Sequence, residues 1–122
     1  VRSLWSALLP LPVCDRGHRY CGNPDRCPSA CEAQTTSPNG NAGADGMASI
    51  IAHESEEAIS DPDLNAWYDN RGYENADKCA WTFGTEYTVS NGSKANLKLG
   101  TRDYLIQQNW VNASRGYCAM SY

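Results

Sequence analysis

Apolar positions at Met47, Ile50, Ile51 and Ala58 recur at helical spacing, and they predict a helix over about residues 46–59. Asp45 stands where an N-cap belongs. Ser60-Asp61-Pro62 predicts the end, because proline disfavours helix in the residue before it. Beyond the helix the pattern shortens. Asn70-Arg71-Gly72 signals a turn, short strands are expected at 80–83 and 86–89, and Asn91-Gly92 is a turn between strands. Leu97 and Leu99 alternate as a strand does, and the segment from Tyr104 to Trp110 reads as another. Before the helix, residues 35–45 form a polar linker rich in turn formers, and residues 14–31 hold four cysteines with little apolar material between them. The sum is a small α+β domain: one main helix against short antiparallel strands, stapled by disulfides.

The length of 122 residues fits one domain with a modest core. Cys14, Cys21, Cys27, Cys31, Cys79 and Cys118 point to an oxidising compartment, so a secreted, extracellular protein is expected. Six cysteines admit many pairings; the expected set is Cys14–Cys21, Cys27–Cys31 and Cys79–Cys118. Cys14, His18, Cys21, Cys27 and Cys31 can also be read as a zinc knot, but export favours disulfides. Two sequons, Asn91-Gly92-Ser93 and Asn112-Ala113-Ser114, fit a secreted glycoprotein. No apolar run reaches membrane-spanning length. The run from Leu4 to Pro12, preceded by Arg2, reads either as the remnant of a signal peptide or as an edge strand of a longer chain. Residues 1–19 are therefore expected to be an N-terminal segment, a truncated remnant on either reading, with the domain over 20–122. The net charge of −4 and the lack of a Lys/Arg cluster argue against nucleic acid as a partner.

The chemistry concentrates in His53-Glu54-Ser55-Glu56-Glu57. His53 and Glu57 are four apart and share a helix face. In the zincin pattern H-E-x-x-H two histidines at this spacing bind zinc and the intervening glutamate is the base. Here Glu57 stands in the second ligand position, which a carboxylate can fill, and Glu54 stands where the base would. The third ligand must come from downstream, where Glu74 and Asp77 lie just before Cys79. Asp61, Asp63 and Asp69 are a second supply of oxygens, suited to calcium. The competing reading is a solvated acidic face, on which Glu54, Glu56 and Glu57 face water and His53 lies beside the core. The position of His53 and Glu57 on the flank of Ile50 argues against it. No Gly-x-Ser-x-Gly elbow or phosphate loop is present, and two histidines leave little for a serine or cysteine triad.

The order of several motifs resembles the EXORDIUM-like (phosphate-induced) proteins. Tyr20 to Cys31 resembles their segment with a Cys-Pro-Gly-Gln-Cys run, Pro38 to Met47 their turn into a helix, and Asp61 to Tyr68 their Asn-Pro-Phe-Gly-Asn-Gly block. Cys79, Gly84, Gly100 to Leu105 and Cys118 follow in the same order, so the resemblance covers about residues 20–122. The plant members with this pattern lack the His-Glu pair. His53 to Pro62, with Glu74, Asp77 and Cys79 downstream, is closer to microbial and algal-type relatives with a His-Glu-Leu-x-Glu-Ala-x-Thr-Asp-Pro pattern, with Ser55 and Ser60 replacing leucine and threonine. The resemblance implies a cell-wall or extracellular setting and brings no defined reaction. The expected function is a secreted, zinc-dependent, peptidase-like hydrolase. The alternative is a non-enzymatic wall-associated protein, in which Trp67, Tyr68 and Trp110 meet sugars or a partner.

Overall fold

The computed structural model describes residues 32–121. The expected Cys14–Cys21 and Cys27–Cys31 bridges, the zinc-knot reading and the boundary near residue 19 lie outside these residues. The architecture is α+β. A 19-residue helix, α1 (Ala42–Ser60), is followed by a 3-10 turn (Asp77–Cys79) and three antiparallel hairpins. These pair β1 (Tyr87–Thr88) with β2 (Lys94–Ala95), β3 (Leu97–Leu99) with β4 (Arg102–Tyr104), and β5 (Asn109–Val111) with β6 (Tyr117–Ala119). The register sets Tyr87 opposite Ala95, Leu97 opposite Tyr104, and Trp110 opposite Cys118.

α1 starts four residues before the expected position. Asn41 is the cap, its Oδ1 accepting from the Ala44 N–H at 3.0 Å. Asp45 instead lies inside the first turn, buried, and its two oxygens accept from the backbone N–H and side-chain amide of Asn39. The buried flank of α1 is largely polar: Asp45, Ser49, His53 and Glu57 recur every fourth residue, with Ile50 beside them. Buried polar groups need partners. Ser49 Oγ accepts from the Gln107 backbone N–H at 3.0 Å, so the helix docks through hydrogen bonds as much as through apolar area. Ile51 and Ile59, by contrast, face solvent.

Among the described residues the buried apolar core is small: Ile50, Ala76, Cys79, Ala95, Leu105 and Ile106. Asn96 reinforces it by donating to the carbonyls of Phe83 and Ile106 and accepting from the Ile106 N–H. The expected strand at 80–83 does not form. Trp81 adopts φ 60°, a left-handed conformation that a bulky residue resists, and the Gln107 Oε1 fixes it by accepting from the Trp81 N–H at 2.6 Å. The expected strand from Tyr104 to Trp110 divides into β4 and β5, because Leu105, Ile106 and Gln107 are buried and the Ile106 and Gln107 N–H groups donate to the side chains of Asn96 and Ser49 rather than to a neighbouring strand. The turns at Asn70-Arg71-Gly72 and Asn91-Gly92 form as expected, closed by Gly72 N–H to Asp69 O and Gly92 N–H to Val89 O.

The Cys79–Cys118 disulfide ties the 3-10 turn to β6. Gly116 enters β6 at φ 86°, packed so closely on the Trp110 ring that any Cβ would collide with it. Trp110 in turn carries the Lys78 ammonium 4.3 Å from its ring centroid. β5, β6 and the turn at Asp77 therefore form one cross-linked unit facing the helix.

Candidate metal centre

Helix geometry puts His53 and Glu57 one turn apart on the buried flank of α1. His53 Nε2 lies 3.0 Å from Glu57 Oε1 and 3.4 Å from Asp77 Oδ1. The two helix side chains are buried, whereas the Asp77 side chain is 38% exposed and opens the cluster to water. The turn that delivers Asp77 is built locally. Asp77 Oδ2 accepts from the Glu74 N–H, which leaves Oδ1 for the imidazole, and the Asp77 N–H donates to Glu57 Oε1 at 3.2 Å. One donor atom each from His53, Glu57 and Asp77 falls within 4.8 Å of the others. Ligands about 2.1 Å from a tetrahedral zinc stand roughly 3.4 Å apart, so modest side-chain movement closes the set around one ion.

Glu74 also approaches the cluster but is not one of these three. Its Oε1 is buried without a hydrogen-bond partner among the described residues. Burial, then the charges of Glu57, Asp61 and Asp77, push its carboxyl up to about 7. Glu54 behaves alike: burial and the neighbouring Glu57 raise it to about 7. Burial pushes the His53 imidazolium down, but its hydrogen bonds to Asp77 and Glu57 outweigh this and raise it to about 10. The hydrogen bond from His53 draws Asp77 below its ordinary range. One imidazolium thus faces an excess of acids. The Nδ1 of His53, on the other side of the ring, is buried and unpaired among the described residues.

The other expected oxygens do not gather. Asp61 Oδ1 accepts from the N–H groups of Asn65 and Ala66, Asp63 is exposed, and Asp69 binds Lys78 and Arg71. Each of the two engaged carboxylates closes its own turn, so no calcium cluster appears among the described residues. The supporting residues Ser49 and Gln107 were not singled out in the sequence. The four-residue polar spacing from Asp45 to Asp61 signals Ser49, and no comparable pattern signals Gln107.

These shifts set a pH dependence. His53, raised from 6.5 to about 10, contributes stability that is complete below pH 6.5 and lost as pH rises through 10. Glu54 and Glu74, raised from 4.5 to about 7, likewise favour the folded state less as pH climbs. Asp77, lowered below 3.8, matters only in stronger acid. The chelator-treated protein is therefore expected to unfold at higher urea at about pH 5.5 than at about pH 8. If the cluster takes up zinc, the slope is expected to reverse on adding it, because ligands must shed protons to bind. Parallel slopes with and without metal would contradict this.

The fold and site define a small disulfide-linked α+β domain with a histidine–carboxylate cluster between a helix and a cross-linked turn. Residues 16–118 match the phosphate-induced protein 1 conserved region, and the chain belongs to that family. Protein EXORDIUM-like 3 of Arabidopsis thaliana is 39% identical over 95 residues, 67% of this chain and 28% of the relative. Protein EXORDIUM-like 5 of the same plant is 58% identical over 31 residues, 25% of this chain and 8% of the relative. The chain thus spans less than a third of the length of these curated relatives. No solved structure matches it.

Proposed function

We propose that the chain is a secreted zinc-binding protein acting as a peptidase-like hydrolase, a member of the family distinguished by an HExxE helix. The observation that carries this reading is the convergence of His53, Glu57 and Asp77 donor atoms within 4.8 Å. Their chemistry fits zinc: one imidazole and two carboxylates are ordinary zinc ligands, and three protein ligands leave a position open. The exposed side of Asp77 provides access for a substrate. Zinc held there supplies Lewis-acid chemistry near neutral pH. Glu54, following His53 on the helix and raised toward 7, takes the proton from the attacking water and returns it to the leaving amine. Glu74 adds negative charge beside the cluster and strengthens the hold on a cation. The Cys79–Cys118 bridge supports export, since disulfides persist in oxidising compartments.

The test is metal analysis of purified protein beside the His53→Ala variant. The protein is expected to hold about one zinc per chain, and the variant none. Equal traces in both would remove the site.

A second reading rests on Tyr68, a residue 55% exposed, and makes the chain a non-enzymatic, wall-associated protein. Trp67 is half-buried and Trp110 is occupied by Lys78, so neither offers an equal platform. Retention on a polysaccharide resin that chelator does not alter would favour this reading over the hydrolase.

A further inference from the structure

The two sequons look alike in sequence and differ in the fold. We propose that Asn112, and not Asn91, carries an N-linked glycan; this rests on the export reading above. Asn112 and Ser114 are exposed in the bend between β5 and β6, where Ser114 and Arg115 adopt φ 52° and 80°. The paired strands close the bend at Val111 and Tyr117, so it projects from the end of a hairpin. The Asn112 Oδ1 accepts from Trp110 Nε1 at 2.9 Å, and this bond leaves the amide nitrogen available. A glycan on Nδ2 therefore keeps the local hydrogen bond and extends into solvent.

Asn91 is built into the structure. Its Nδ2 donates to the Ser37 carbonyl at 2.9 Å, across 54 residues of chain, and Ser37 is buried. Its Oδ1 accepts from both the N–H and the hydroxyl of Ser93, at 3.0 and 2.6 Å. Ser93 is only 3% exposed. The nitrogen that would bear sugar is thus the atom that joins the β1–β2 turn to the segment entering α1. Asn91 is itself exposed, but a chain glycosylated there must fold with a bulky, hydrated group on a nitrogen already engaged with buried Ser37. The acceptor at Asn112 has no such conflict.

The transfer uses an oligosaccharide carried on a polyprenyl pyrophosphate. A bond forms between Asn112 Nδ2 and the anomeric carbon, and the bond from that carbon to the pyrophosphate oxygen breaks. The pyrophosphate leaves with the electron pair, and the amide nitrogen gives up one proton.

The experiment routes the chain into the secretory pathway of a eukaryotic host behind a heterologous signal peptide. Glycans are read on total cell protein, by the mobility shift on amidase treatment and by peptide mass spectrometry. Natural export then has no bearing on the result. The expected outcome is a single glycan, lost in Asn112→Gln and in Ser114→Ala and retained in Asn91→Gln. A glycan on Asn91, a shift surviving in Asn112→Gln, or a wholly unmodified chain would overturn the proposal.

Discussion

The Glu54→Gln variant is expected to keep its zinc and lose hydrolytic turnover by about 10²–10⁴-fold, the usual worth of a positioned acid–base group. Glutamine preserves the size of the side chain and one hydrogen-bonding oxygen but cannot take a proton at neutral pH. Glu54 is not among the three convergent donors, so metal content should not fall. Its removal also relieves charge crowding, since Glu57, Asp77 and Glu74 all raise its proton affinity. The fold should hold, which urea unfolding with chelator present checks. Turnover on an unstructured peptide, corrected for bound zinc, is the measurement. Unchanged turnover would remove Glu54 from the chemistry and leave the binding site standing. Loss of zinc would instead make Glu54 part of the metal's support.

Removing the Cys79–Cys118 bridge with paired alanine substitutions is expected to cost about 4 kcal/mol of stability, the entropy of a loop of this size in the unfolded chain. The bridge spans 39 residues and Cys79 is fully buried in a small core, so little else compensates. The functional consequence follows from geometry. Asp77 precedes Cys79 by two residues in the same 3-10 turn, and the bridge anchors that turn to β6. Freed from it, the turn depends on the Asp77 N–H bond to Glu57 and the packing of Lys78 on Trp110. Zinc affinity of the folded fraction should fall by about 10–100-fold, the range seen when support of a ligand is lost. Calorimetric titration, with folding monitored by near-ultraviolet dichroism, separates the two effects. Undiminished affinity in a folded variant would show that the bridge does not hold Asp77 in place.

The helix and the direction of its buried flank were legible, because His53 and Glu57 stand at i and i+4 beside Ile50. Both downstream acids near Cys79 were also visible. Their different roles were not: Asp77 enters the convergent set because its own turn hands Oδ1 to the imidazole, while Glu74 keeps only an unpaired oxygen nearby. The start of α1 was hidden because Asp45 and Asn41 are both good caps, and only the demand of Asn39 for a carboxylate decides between them. The bend at Trp81 has no local cause; Gln107, 26 residues on, imposes it. Apolar periodicity also misjudged Ile51, since the docking row of this helix is polar. Local propensity reached what local chemistry builds, and it stopped where distant side chains complete the hydrogen bonds.

The most direct measurement is anomalous diffraction at the zinc edge from crystals grown with zinc. One strong peak is expected about 2.0–2.2 Å from His53 Nε2 and from one oxygen each of Glu57 and Asp77. A map with no peak there, and His53 still paired with both carboxylates, would contradict it.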